Sequence, residues 1–411
     1  MRREVQRQQS EADSTLCDPP QPRLKMSICL NRRSFSRTAA ASVLALAGLS
    51  ACAPSAPDVI KIGVAQPLSG PIASLGQDML NGVTLAVEEI NQAGFKVAGK
   101  PVKLEIVAVD DKSDAATGKA VAQQLVETGV VAVIGNLNSG VSIEAAPVYA
   151  AASVAQIAIS TNPTFTELGF PTTLRMVAND NLQARAMGAY AAGLPGSTRY
   201  AMVDDGTTYG KGLADGAAAR LKALNKEVLL RQSFDGETVA FDELAAQIKA
   251  DGINVVISML NDFQVLALLQ ALDKLSYTNI VLVGGDTIKT TEMIKAAGLV
   301  TRIAATSPVL NAEEFPAGEA FQAKFSARFN GPVAYGAHYS YDSMYVLKTA
   351  IQSAQSADRK KVLEALRKIE AFAPVTNTMR WDDKGEQRYG TVGIYELRGG
   401  KWELRTRSDR W

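Results

Sequence analysis

Val59-Ile60-Lys61-Ile62-Gly63-Val64, a loop carrying Pro67, Gly70 and Pro71, and then the apolar series Met79, Val83, Ala86, Val87 and Ile90 together decide the fold class. The first run is short, β-branched and apolar, as a strand covered on both faces must be. The second series is spaced by four, three, one and three residues, which places it on one side of an α-helix. Gly94 then offers a helix stop. A buried strand followed by a one-faced helix is half of a βαβ unit, and its repetition builds a largely parallel sheet.

The repetition continues towards the C-terminus. Strand-like runs recur at residues 102–109, 130–134 and 156–159, with helical segments at 115–128 and 142–152. A second series starts near Arg199, with strands expected at 200–203, 227–230, 255–258 and 280–283 and helices at 213–224, 241–250 and 265–275 between them. The spacing therefore predicts two α/β lobes of similar build. With 411 residues, 47% of them hydrophobic, the chain is long enough for two cores.

Composition removes several function classes. The 43 basic and 42 acidic residues balance to +1, with no run of five or more like charges, so nucleic acid is not an expected partner. The three cysteines, Cys17, Cys29 and Cys52, all precede the first strand, and His338 is the sole histidine, so neither a disulfide framework nor a zinc or copper centre is expected. No cofactor is expected either. The motifs G-x-x-x-x-G-K-S/T, G-x-G-x-x-G after a strand, H-E-x-x-H and G-x-S-x-G are missing from the two series, and a Ser139/His338 hydrolase would rest on two isolated residues. Two lobes without a catalytic motif read as a binder, not an enzyme.

The N-terminus reads as an export address. Asn31-Arg32-Arg33-Ser34-Phe35-Ser36-Arg37 forms a twin-arginine pattern, and an apolar stretch at 39–49 follows it. That stretch is too short to span a bilayer and stops at Leu49-Ser50-Ala51-Cys52, a lipoprotein-type signal in which Cys52 becomes the first, acylated residue. Each buried methylene of such a chain contributes roughly 0.8 kcal/mol, enough in combination for stable anchoring. Residues 1–51 are thus a signal, 52–57 a proline-stiffened tether, and residues 1–25 read as lying upstream of a true start at Met26.

Along the mature chain the residues resemble the periplasmic leucine/isoleucine/valine-binding proteins of ABC transporters. The resemblance is carried by Ile62-Gly63-Val64-Ala65-Gln66-Pro67-Leu68-Ser69-Gly70 with Gly76, by Gly82 and Ala86-Val87-Glu88-Glu89-Ile90-Asn91-Gln92-Ala93-Gly94, by Asp110-Asp111 and Val133-Ile134-Gly135. Ser160-Thr161-Asn162-Pro163, Tyr209-Gly210, Gly284-Gly285-Asp286 and Tyr341-Asp342 continue it in order. It implies a type I periplasmic binding fold, two Rossmann-like lobes joined by a three-strand hinge. Lobe one would take residues 58–180 and 308–388, and lobe two 181–307 and 389–411. A small amphoteric ligand would lie in the cleft between them, and a monomer would hand it to a transporter permease at the membrane. A sensory receptor for amides or ureas, with another partner, shares this fold.

A free amino acid needs donors for its carboxylate, an acid for its ammonium and a shaped wall for its side chain. Ser139 stands between a strand and a helix, where a hydroxyl lies beside free N–H groups; by resemblance it is the carboxylate-binding serine. Thr161 matches a threonine that contacts both polar groups, with Ser160 beside it. Asp286 matches the acid that takes the ammonium, and Tyr209 the tyrosine that closes over the ligand. Leu75 and Asn261 stand where the family carries pocket aromatics, which puts leucine itself in doubt as the ligand. His338, Phe321, Phe325 and Phe329 read as packing residues.

Overall fold

A computed structural model describes residues 57–410. The expected export signal and the expected anchor at Cys52 lie outside the described residues. Among the described residues no helix is long and apolar enough to cross a membrane, and no cluster of metal-ligating side chains occurs.

The strand Val59–Gln66 lies inside a parallel sheet whose spatial order is Lys103–Asp110, Val59–Gln66, Ala132–Gly135, Ala155–Ala158 and Thr173–Arg175. From Ile62 to Gln66 it is almost wholly buried, and Ala132–Gly135 and Ala155–Ala158 are buried throughout, which explains their unbroken apolar runs. The helix Ala115–Thr128 shows how local chemistry sets the boundaries. Asp114 caps it by accepting from the Thr117 N–H at 2.7 Å, and Gly129 ends it in the left-handed conformation.

A second sheet runs Lys401–Arg407, Gly393–Arg398, Arg302–Ser307, Val281–Gly284, Val255–Met259, Tyr200–Asp204 and Val228–Ser233. Its last five strands in that order are parallel, whereas Gly393–Arg398 and Lys401–Arg407 pair antiparallel. The two sheets are the two lobes of a type I periplasmic binding fold. The chain crosses between them three times: after Arg175, after Ser307, and between Met379 and Gly393. One large core joins residues from Ile60 to Val177 with residues from Val309 to Trp381, and separate cores flank the second sheet.

Most expected elements occur with shifted ends. The helix expected after Gly76 already begins at Ala73, and that expected at 142–152 spans Ser139–Ala151. Thr173–Arg175, the helix Asp180–Gly193, Arg302–Ser307 and the C-terminal hairpin were not among the expected elements; the first is three residues long and ends on arginine, too brief for a periodic signal. Phe321 and Phe325 are in the core and Phe329 packs against it.

Helix Ala73–Gln92 packs on helix Ala337–Ala354 through Gly82, where a Cβ would stand 2.0 Å from the Ala337 carbonyl oxygen. A methyl there must push two backbones apart. Gly82→Ala is expected to cost about 1–3 kcal/mol of stability, the usual price of overpacking. An unchanged urea midpoint would contradict this close helix contact.

Candidate ligand site between the lobes

The carboxyl ends of the parallel strands of both sheets converge on one cavity of about 290 Å³. Ser139 enters it as the first residue of helix Ser139–Ala151, and Thr161 from the loop after Ala155–Ala158. From the second sheet come Tyr209, in the first turn of helix Thr208–Ala223, Asn261 ahead of helix Asp262–Lys274, and Asp286 after Val281–Gly284. Five of the seven residues expected at the site thus line one chamber. Leu75 and Ser160 do not: Leu75 is 3% exposed within the first lobe's core, and Ser160 is buried behind Thr161. Ile72, three residues before Leu75, supplies the wall instead, together with Leu137 and Ile159.

Two ends of the chamber have opposite chemistry. At one end, Asn138 makes no side-chain cap for helix Ser139–Ala151, so the first turn keeps its N–H donors for another acceptor. The Ser139 Oγ accepts from the Asn162 N–H at 3.2 Å, which leaves its own proton to donate. An anionic group suits this end. The opposing helix of the second lobe is capped already, since the Thr207 hydroxyl oxygen accepts from Gly210 N–H at 3.1 Å. Its N-terminus is therefore less demanding.

At the other end lies Asp286, 4% exposed. Its Oδ1 accepts from Gln183 Nε2 and from the Tyr209 hydroxyl, both at 2.9 Å, and its Oδ2 from the Tyr335 hydroxyl at 2.6 Å. Burial and the Asp286 charge push both phenols well above their usual pKa, so they stay protonated and donate. Gly285 makes the Tyr209 contact possible, for a Cβ there would stand 2.2 Å from the phenol oxygen. Three donors leave a carboxylate with acceptor capacity to spare. A cationic group suits this end.

Several residues of the site had no signal in the sequence. Tyr335 belongs to the first lobe's core yet reaches Asp286 of the second, and Asn162 Nδ2 donates across the cleft to the Thr208 carbonyl at 3.0 Å. Both contacts hold the lobes together around the chamber. Behind them stand two anchors. The Asp78 carboxylate accepts from the backbone N–H groups of Ala334, Tyr335, Gly336 and Ala337 at 2.8–3.1 Å, which fixes the Tyr335 turn. The fully buried Arg175 donates to the carbonyls of Ser160 and Asn162 and pairs with Glu386, which fixes the Thr161 loop.

His338 is not part of the chamber. It is fully buried among Phe315, Phe321 and Tyr339, its pKa is pushed down to about 3 by burial, and its neutral ring donates from Nε2 to the Leu310 carbonyl at 2.9 Å. Tyr335→Phe should leave Asp286 Oδ2 without a donor and cost about 1–3 kcal/mol. Urea unfolding checks this, and a midpoint equal to wild type would show that the lobe-to-lobe bond carries no weight.

A family model described as periplasmic binding protein matches residues 59–401. "Leu/Ile/Val-binding protein homolog 1" of Brucella melitensis is 31% identical over 376 residues, 91% of this chain and 97% of that protein. Among solved structures, the leucine-binding protein LivK of Thermotoga maritima superposes with a TM-score of 0.77 at 22% identity, covering 86% of this chain and all of that one. The branched-chain amino acid transporter substrate-binding protein LivJ of Streptococcus pneumoniae, solved with isoleucine, gives 0.75 at 23% identity over 84% and 99% of the two chains. A two-lobed fold, a chamber at the strand ends and a match through both lobes agree: the chain belongs to the periplasmic binding proteins, solute-binding proteins rather than enzymes, in the company of the Leu/Ile/Val-binding homologues.

Proposed function

We propose that this chain is a lipid-anchored, extracytoplasmic solute-binding protein that captures a branched-chain amino acid or a related small amphoteric molecule and delivers it to an ABC transporter permease. One observation carries the reading: a single small chamber is lined by the donor Ser139, the acid Asp286 and the apolar Ile72, Leu137 and Ile159. A zwitterion with a compact side chain satisfies all three at once. Thr161 would serve the polar groups of the ligand from the same lining, and Tyr209 orders the acid. At about 290 Å³ the chamber stands at the lower edge of ligand pockets, typically about 300–1,000 Å³.

The lobes in this reading are residues 58–180 with 308–388 and residues 181–307 with 389–411, opening and closing about the three crossovers. The names of the relatives support an amino acid, and the family supports a place in the periplasm or cell envelope. Cys52 would hold the protein at the membrane after its signal is removed. Asn261 and Thr287 make one wall polar, which favours a ligand with some polarity in its side chain and gives an amide receptor of the same fold its standing as a second reading.

The test uses protein beginning after Cys52. A thermal-shift panel of amino acids, amides, ureas and aromatic acids should raise the midpoint with one chemical class, because a ligand that binds only the folded state adds to its apparent stability. Asp286→Asn and Ser139→Ala should each weaken the best binder tenfold or more, roughly 1.4 kcal/mol per tenfold. A panel without any shift, or variants that bind like wild type, would sink the reading. For the anchor, full-length Cys52→Ser should leave the membrane fraction that wild type occupies; equal fractionation would refute lipidation at this residue.

A further inference from the structure

The chamber has a second carboxylate behind its acid. Asp180, 3% exposed, opens the helix Asp180–Gly193, and Gln183 one turn further along the same face is the residue that donates to Asp286 Oδ1. Asp180 thus lies at the root of the Asp286 cluster. Its backbone N–H donates to the Thr161 carbonyl at 2.8 Å, and the Thr161 side chain faces its carboxyl. Neither carboxyl oxygen completes a hydrogen bond, although the Thr161 hydroxyl lies against the carboxyl.

A buried carboxylate without completed hydrogen bonds is costly as an ion and keeps its proton instead. The charges around Asp180 come from every packed side. Asp286 and Glu386 oppose its ionisation, Arg175 and the Thr161 hydroxyl favour it, and the Tyr209 and Tyr335 phenols lie within its field as neutral groups; the buried Lys289, its pKa brought down to about 8 by burial, lies in the field of Asp286 in turn. Burial first, then Asp286, hold its pKa up at about 8. In the empty chamber Asp286 is therefore backed by a neutral acid.

We propose that Asp180 is a positioning residue that couples ligand capture to proton release: it holds a proton while the chamber is empty and gives that proton to the solvent when an ammonium group is seated beside Asp286. The incoming cation adds a positive charge beside Asp286, and with it the two neighbouring carboxylates become tolerable as ions. One proton leaves per ligand bound, and no other group changes its bonding. This rests on the amphoteric-ligand reading of the chamber and adds to it a pH dependence set by a residue that does not line the cavity.

The sign follows from linkage. Binding that releases a proton strengthens as pH rises, by no more than tenfold per pH unit, and levels off once the empty protein has lost the proton too, above about pH 8. The test is calorimetry of mature wild type and Asp180→Asn with the standard L-amino acid that gives the largest thermal shift, from pH 5.5 to 9, in buffers of differing ionisation enthalpy. Wild type should release up to one proton per ligand near pH 7 and gain affinity several-fold between pH 6 and 8. Asp180→Asn should release none and bind with an affinity independent of pH over that range. Wild type that binds without releasing a proton overturns the assignment by itself, even if the variant does not fold. A variant that keeps the wild-type pH profile also overturns it. If no amino acid binds wild type at any pH, the amphoteric-ligand reading falls, and this inference with it.

Discussion

The structure turns on one buried carboxylate. Asp286 stands at the end of a second-lobe strand, and its three donors come from two helices and from the other lobe: Gln183, Tyr209 and Tyr335. A charge taken out of water is stable only where donors surround it, so the fold must deliver all three to the same point. Much of the architecture follows from that requirement. Gly285 has no side chain because the Tyr209 phenol occupies the space, and Asp78 clamps four consecutive backbone N–H groups so that Tyr335 points across the cleft. The second lobe provides the acid, and the first completes it.

This arrangement also accounts for how two lobes can report on a small molecule. Contacts between the lobes include polar ones, among them Tyr335 to Asp286, Asn162 to Thr208 and Lys289 to Asn311. Each contributes on the order of 1 kcal/mol, which is enough to bias closure but not to fix it. A ligand that bridges the Ser139 end and the Asp286 end adds interactions that exist only in the closed form, and a ligand shifts an equilibrium by its differential affinity for the two states. The rigid parts lie further out. Arg175 holds the Thr161 loop through two carbonyls, so the first lobe presents its half of the site preformed.

The sequence made the βαβ pattern legible because parallel strands are buried on both faces and read as continuous apolar runs. Ser139, Thr161, Tyr209, Asn261 and Asp286 were legible as chamber residues through the family resemblance, and each also follows a strand at its carboxyl end, a position visible in one dimension. Leu75 was expected at the wall because it stands where the family carries a pocket aromatic, but the helix that begins at Ala73 turns its side chain into the core, leaving Ile72 at the wall. Tyr335 and Gln183 had no such mark. Their roles depend on contacts 49 and 103 residues distant in sequence, which no local pattern encodes. The same holds for the ion pair of Arg175 with Glu386, formed across 211 residues.

The central claim is that Asp286 reads a ligand's ammonium group inside a chamber closed by both lobes. The most direct measurement compares the amino acid that binds best with its α-hydroxy acid, identical except that a hydroxyl replaces the ammonium, by calorimetric titration of the mature protein at one pH. The account predicts that the hydroxy acid binds at least a hundredfold more weakly, roughly 2.7 kcal/mol, because the buried acid then meets a neutral hydroxyl in place of the ammonium. Equal affinity for the two would contradict it.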